Sequence, residues 1–274
     1  MLSDALRSEL IFLPRSGGAA RIDDCIVLRT PDNPTYWWGN TLVFDQAPVA
    51  GDLMRWTQLF EAHVRLEQPA SRHTTFSWTG TERGCVKPFI DAGYTLLESV
   101  VLTADRDTTI RAPHENRTTH IASLGPSDWI ALRDLLIETR ENHHSLAGYA
   151  EFAERRIATW RGLGEAGQGA WFGAWQSIDD KLRLASALGV FVEARRGPDD
   201  RRVGRFQHVV THPAARRQGL AGTLVAHASR HAFDELDADT LLIIAAEHDD
   251  ARRVYQSTGY RPCGWQRGLE LGGD

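Results

Sequence analysis

The stretch Val209-Val-Thr-His-Pro213-Ala-Ala-Arg216-Arg-Gln-Gly219-Leu-Ala221-Gly222-Thr-Leu224 decides the fold. Its β-branched start reads as the end of a strand running from Val203 to Thr211 and stopping at His212-Pro213. From Gly219, Leu220, Leu224, Val225, Ala228 and Ala232 recur at helical spacing and predict a helix ending near Leu236. Small residues at the junction, Gly219, Ala221 and Gly222, let a ligand approach the backbone closely. The first turn of a helix presents N–H groups without helical partners, together with the positive end of the dipole. The junction is therefore a natural cradle for an anion. Arg216 and Arg217 add positive charge beside it, and pyrophosphate suits the arrangement. Neither Gly-Lys-Ser/Thr nor Gly-x-Gly-x-x-Gly is present, which argues against a P-loop and a dinucleotide fingerprint.

Working outward, Leu241-Leu-Ile-Ile-Ala245 is a continuous apolar run that suits a strand buried on both faces. Ala251 to Thr258 reads as a short helix closed by Gly259, and Trp265 to Leu271 as the last strand. Upstream, Thr119–Ser123 predicts a short strand. A helix follows from Ser127 or Asp128 to about Glu141, and another from Ala150 to Arg161. Ala170–Trp175 and Leu182–Glu193 predict two strands around the acidic turn Asp179-Asp180. This order implies an α/β fold with a mixed sheet. The polar, proline-bearing stretch Asp105–Arg117 marks a boundary, dividing the chain into residues 1–110 and 118–274.

At 274 residues the chain has room for two domains of ordinary size, and 42% hydrophobic with 24% charged residues is the balance of a globular protein. With 36 acidic and 31 basic side chains the net charge is −5, and neither half carries the basic footprint of a nucleic-acid binder. No apolar run approaches the roughly 20 residues of a membrane span, and the start, Met1 to Arg7, lacks a secretory pattern. Cys25, Cys85 and Cys263 are widely spaced and read as free thiols, so the expected compartment is the cytoplasm. His143-His144 point in different directions as neighbours and predict a solvated loop; no metal site is expected. Trp171, Phe172 and Trp175 suit either a core or an acceptor pocket.

Arg216-x-x-Gly219-x-Ala221 resembles the Arg/Gln-x-x-Gly-x-Gly/Ala signature of the GNAT N-acetyltransferase superfamily. Ala251-Arg-Arg-Val-Tyr255-Gln-Ser-Thr-Gly259-Tyr260 resembles that family's late helix, Ala-x-x-Leu-Tyr-x-x-x-Gly-Phe/Tyr. Together with the element order above, the two elements cover roughly residues 118–274. The resemblance implies a GNAT-like acyl-CoA N-acyltransferase fold with acetyl-CoA (coenzyme A) as cofactor. It implies that Val209, Val210 and Thr211 contact the pantetheine arm. The pyrophosphate would lie at Arg216, Arg217, Gln218, Gly219, Leu220, Ala221, Gly222 and Thr223. Tyr255 falls where a phenol acts as general acid toward the departing thiolate, with a core aromatic as the alternative reading. Candidates for the general base are His208, Glu247 and Glu193. His208 has the most suitable intrinsic pKa but shares a strand face with Phe206 and Val210. His248 stands where many family members have asparagine.

The first half carries a fainter echo. Phe89-Ile-Asp-Ala-Gly93-Tyr94 parallels Tyr255-Gln-Ser-Thr-Gly259-Tyr260, with phenylalanine in the tyrosine's place. Tyr36–Phe44 reads as a strand, and Pro48–Leu53 opens a helix through Phe60. The expectation is two tandem GNAT-like units, the first degenerate, the second an acetyl-CoA-dependent N-acetyltransferase. Its acceptor would be a primary amine on a small molecule or peptide. The competing expectation is a non-catalytic acyl-CoA-binding or sensor protein.

Overall fold

The structure, a computed structural model, describes residues 3–13, 18–140, 146–246 and 250–272. In chain order it runs α1 (Asp4–Leu10), β1 (Ala19–Ile22), β2 (Cys25–Leu28), β3 (Thr41–Phe44), α2 (Asp52–Phe60), β4 (Thr74–Trp78), α3 (Lys87–Asp91) and β5 (Thr95–Asp105). It continues through β6 (Ile121–Ser123), α4 (Trp129–Glu138), α5 (Leu146–Glu165), β7 (Gly169–Ile178), β8 (Lys181–Val192) and β9 (Val203–Thr211). It closes with α6 (Leu220–Asp234), β10 (Thr240–Ala246), α7 (Asp250–Thr258) and β11 (Arg261–Leu271). The chain divides into two compact units, Met1–Val101 with Cys263–Asp274, and Leu102–Pro262. The division falls inside β5 and near the start of β11. It differs from the boundary at 110–118 read from polarity, because the polar stretch after Asp105 is bonded into the second unit. There Arg111 N–H donates to Thr258 O at 3.1 Å.

In the first unit β1–β2 and β2–β3 are antiparallel, β3–β4 is parallel, and β4 pairs antiparallel with β11, from Trp78↔Arg267 to Thr74↔Leu271. The final strand thus completes the sheet of the N-terminal unit. Aromatic packing carries its core: Phe44 stacks on Trp56 at 3.8 Å, and Phe60, Phe76 and Phe89 close around them, all buried. Burial of each such Phe contributes roughly 1.5–3 kcal/mol. The expected strand from Tyr36 is confined to Thr41–Phe44, preceded by a 3-10 turn at Trp37–Gly39. The cause is Asn40, wholly buried, whose amide donates to Asn33 O and Tyr36 O at 2.9 and 2.8 Å and so curls the chain.

The second unit orders its strands β10-β9-β8-β7-β6, with β9–β10 parallel and the others antiparallel. Helices α6 and α7 pack on each other, and α4 packs on α5. The mixed α/β sheet expected from the sequence is present, and β9 has the expected limits.

In chain order β1 to β5 and β7 to β11 repeat one order, three strands, helix, strand, helix, strand, and repeat its local devices. Both α2 and α6 start at a left-handed glycine, Gly51 (φ 92°) and Gly219 (φ 77°). Tyr94 N–H bonds Phe89 O at 3.0 Å, as Tyr260 N–H bonds Tyr255 O at 3.1 Å.

Candidate active site

Among the described residues, strands β9 and β10 pair only through Thr240↔Val203, Leu241↔Gly204 and Leu242↔Arg205. Beyond these the two strands part, leaving the edge of β9 from Phe206 to Thr211 without a β10 partner. An opening between parallel strands exposes backbone N–H and C=O groups that an extended ligand satisfies by adding to the edge. On the other edge β9 stays anchored: Ser186 Oγ donates to Val210 O at 2.7 Å, and Ser186 pairs with Thr211. Val209, Val210 and Thr211, expected along an extended arm, lie on this parted segment, each half-buried.

The segment contains a β-bulge. Ala187 pairs with Val210 and Gly189 with Gln207, so Leu188 faces two residues, His208 and Val209, and His208 takes φ 40°. The bulge changes the side-chain alternation on which the sequence reading relied. Gln207 and His208, consecutive residues, both reach α5. Gln207 Oε1 accepts from buried Arg156 at 2.9 Å, and the His208 ring meets Trp160 edge-on at 5.3 Å. Phe206 packs on Tyr260 instead. His208 is therefore not in register with Phe206. Burial, with the Arg156 and Arg205 guanidiniums adding to it, pulls the His208 imidazole down to about 4.

After Thr211 the chain is held by His212. Its Nδ1 accepts the Ala214 N–H at 3.1 Å, so Nε2 carries the hydrogen toward Glu138 Oε1 at 3.2 Å. Arg183 holds the other oxygen of Glu138 at 2.6 Å. The turn that follows places Arg217 (φ 62°) and Gly219 (φ 77°) in the left-handed region, a backbone pattern that turns successive N–H groups toward one concavity. The first bond of α6 runs from Thr223 N–H to Gly219 O at 3.0 Å, so the N–H groups of Leu220, Ala221 and Gly222 have no partner within the helix. Arg216, Arg217 and Gln218 are exposed beside them. The expected cradle residues are thus brought together. Two of them have a further engagement. The Thr223 hydroxyl donates to Gly219 O at 2.8 Å and accepts from Asn116 N–H at 2.8 Å. A Cβ on Gly222 would touch Val254 and Thr258 of α7 at ordinary distance, which puts that glycine at the α6–α7 contact.

Tyr255 is buried on α7, a helix that packs on α6 and β10, and its carbonyl accepts Thr258 Oγ at 2.7 Å. Tyr260 is wholly core: its hydroxyl meets Ser229 Oγ at 2.8 Å and burial raises its pKa. Glu193 lies at the paired end of β9, where its carboxylate accepts the Val203 N–H at 2.9 Å, away from the opening. Glu247, His248 and the pair His143-His144 lie outside the described residues. Trp171 and Phe172 are core, Trp171 against Trp160 at 4.7 Å and Phe172 between His227 and His231; Trp175 is half-buried. Sequence reasoning missed the supports of the turn, His212, Glu138 and Asn116. Only Asn116 carried a local signal, an Asn two residues before Thr118-Thr119 that suits an Asx turn.

In the first unit the equivalent place is filled. Strands β3 and β4 pair through Phe44↔Trp78, and Thr79 N–H extends the ladder to Phe44 O at 2.9 Å. At the start of α2 the Asp52 carboxylate accepts Val49 N–H at 2.8 Å and Arg55 Nε at 2.9 Å. A carboxylate thus stands where the second unit offers open N–H groups.

Among the described residues there is no group of three or more His, Cys, Asp or Glu placed to hold a metal ion. None of the described helices is long and apolar enough to cross a membrane.

Comparison with known proteins adds three findings. The model of the acetyltransferase (GNAT) family matches residues 129–260. No curated protein sequence matches the chain. Among solved structures, a conserved protein of unknown function from Staphylococcus epidermidis aligns over 97% of this chain and 98% of its own, with TM-score 0.74 and 11% identity. A GCN5-related N-acetyltransferase from Kribbella flavida aligns over 99% and 95%, with TM-score 0.64 and 15% identity. A tandem GNAT protein from the clavulanic acid biosynthesis pathway aligns over 99% and 88%, with TM-score 0.52 and 13% identity. At these identities the likeness is one of fold.

Proposed function

We propose that the chain is an N-acetyltransferase that carries the acetyl group of acetyl-CoA to a primary amine, a reading supported by the match of residues 129–260 to the model of the acetyltransferase (GNAT) family. The observation that carries the reading is the parting of β9 from β10 beyond Arg205 and Leu242, with the left-handed turn Arg217–Gly219 next along the chain. One opening suits an extended amide-bearing arm, and one turn suits a diphosphate. The donor set fits this group: open N–H groups at Leu220, Ala221 and Gly222, guanidiniums at Arg216 and Arg217, and the free β9 edge at Val209–Thr211. When bound, the cofactor supplies the acyl group as a thioester.

This chain's own residues then have three tasks. The β9 edge orients the arm through backbone hydrogen bonds. Tyr255 Oη holds the proton that a departing thiolate needs, and burial of the side chain keeps bulk water from competing for it. The acceptor nitrogen must lose its proton before it attacks. A His208 imidazole held near 4 is uncharged at neutral pH yet weakly basic, so it accepts a proton readily only from an amine that arrives neutral. Glu247 is the other acceptor in this reading.

The first unit takes no cofactor in this scheme, since its β3–β4 ladder is closed and Asp52 would repel a diphosphate. The low basicity of His208 also favours a second reading, a protein that binds acyl-CoA without turnover. A CoA-release assay across a panel of primary amines tests the first reading: turnover with at least one amine supports it. Acetyl-CoA binding without turnover on any amine favours the second, and the absence of any acetyl-CoA-induced thermal shift overturns both.

A further inference from the structure

The stretch His114–Thr119 connects β5 to β6 and belongs to no helix or strand, yet it lies against the anion-binding turn. Asn116 makes the contact through two of its polar groups. Its backbone N–H donates to Thr223 Oγ1 at 2.8 Å, and its amide Nδ2 donates to Gln218 O at 2.9 Å. Its Oδ1 accepts the N–H groups of Thr118 and Thr119 at 3.2 and 2.9 Å and the Thr118 hydroxyl at 3.1 Å, which fixes the connecting stretch itself. Gln176 of β7 closes the arrangement, its Nε2 reaching Thr119 Oγ1 at 2.8 Å and Gln218 Oε1 at 3.2 Å.

We propose that Asn116 is a positioning residue for the cofactor, holding the Arg217–Gly219 turn in the conformation that directs its N–H groups at the diphosphate. The inference rests on the acyl-CoA reading of that turn. Gln218 sits between the two left-handed residues, Arg217 and Gly219, so a bond to its carbonyl opposes rotation of the peptide plane that joins it to Gly219. The left-handed conformation is disfavoured for the non-glycine Arg217, and a turn built on it needs external bonds to stay populated. Thr223 is held from the same residue, and its hydroxyl in turn caps Gly219 O, so Asn116 braces both ends of the first helical turn. A binding-competent turn populated only part of the time lowers apparent affinity in proportion to that population.

The test is acetyl-CoA affinity by titration calorimetry and the split of KM against kcat in the CoA-release assay, on the full chain. Asn116→Ser keeps an oxygen for the Thr118 and Thr119 N–H groups and removes the amide donor to Gln218. It is expected to weaken acetyl-CoA binding about tenfold, the worth of one well-placed hydrogen bond. KM for acetyl-CoA should rise in parallel, and kcat at saturating cofactor should stay within about twofold. Asn116→Asp keeps the size and the acceptor and likewise loses the donor; its affinity should fall at least as far. Unchanged affinity in a folded Asn116→Ser protein, or a loss confined to kcat, overturns the proposal. Should Asn116→Ser shift the thermal midpoint of the free protein while leaving affinity intact, the bond is structural only and the proposal fails. Failure of the wild-type chain to bind acetyl-CoA strikes the acyl-CoA reading itself, a separate outcome.

Discussion

The carbonyl oxygen of His114 occupies the space into which a side chain at Gly219 would grow. Gly219 is thus constrained twice, by its left-handed φ and by a neighbouring backbone that sits in the way of a Cβ. Gly219→Ala is expected to destabilise the chain by about 2 kcal/mol or more, before any ligand is added. The thermal midpoint of the ligand-free protein should fall by several degrees, and acetyl-CoA affinity should fall with it. An unchanged midpoint would show that the connecting stretch yields freely.

Tyr255→Phe removes one hydroxyl from a buried ring and leaves the α7 cap, made by backbone groups, intact. If the phenol is the proton donor, kcat should drop by about 10²–10⁴-fold, with acetyl-CoA affinity changed by no more than about threefold. Steady-state kinetics with calorimetry separates this from a packing defect, which would lower both.

His73 of the first unit gives the chain a pH-dependent stability. Its ring stacks on Trp37 at 5.3 Å, and Nε2 meets Asn40 O at 3.2 Å. Burial, the largest cause, pulls the imidazole down to about 4. Between that value and the unfolded value near 6.5 the unfolded chain binds more protons than the folded one. This contribution is therefore complete above about pH 6.5 and is lost as pH falls toward 4. At pH 5 the loss from one such group is about 2 kcal/mol. In His73→Phe the difference between urea unfolding free energies at pH 7.5 and pH 5 should shrink by about that amount. An equal difference in both proteins would remove His73 as its source.

One acetyl-CoA should bind per chain. The filled junction of the first unit leaves a single cradle, and calorimetric stoichiometry near one is expected. Arg216→Ala should weaken that binding about tenfold and flatten its salt dependence, because Arg216 is an exposed cation beside the turn. Stoichiometry near two would mean that the Asp52 carboxylate does not exclude the anion.

The parts legible in the sequence were those whose chemistry is local. The strand from Val203 to Thr211, the turn with Gly219 and the helix after it follow from β-branching, proline and glycine within about thirty residues. So do the paired caps at Gly93-Tyr94 and Gly259-Tyr260. The bulge was not legible, because two residues facing Leu188 is a property of β8 and β9 together; with it went the side of the strand that His208 faces. Asn116 reads as part of a boundary because its stretch is polar. Its partners, Gln218 and Thr223, lie about a hundred residues away. The place of β11 escaped for the same reason: Trp265 to Leu271 reads as a strand, but nothing near it names β4 as its neighbour.

Synthesis meets this arrangement in reverse order. The first unit emerges from the ribosome first and yet must wait, with β4 lacking its antiparallel partner, until the last strand has been made. Throughout that interval the N-terminal sheet has an open flank available to wrong partners. An expression fragment ending near residue 110 inherits the same exposed flank permanently. A fragment meant to isolate the N-terminal unit should therefore carry Cys263–Asp274 grafted back onto it.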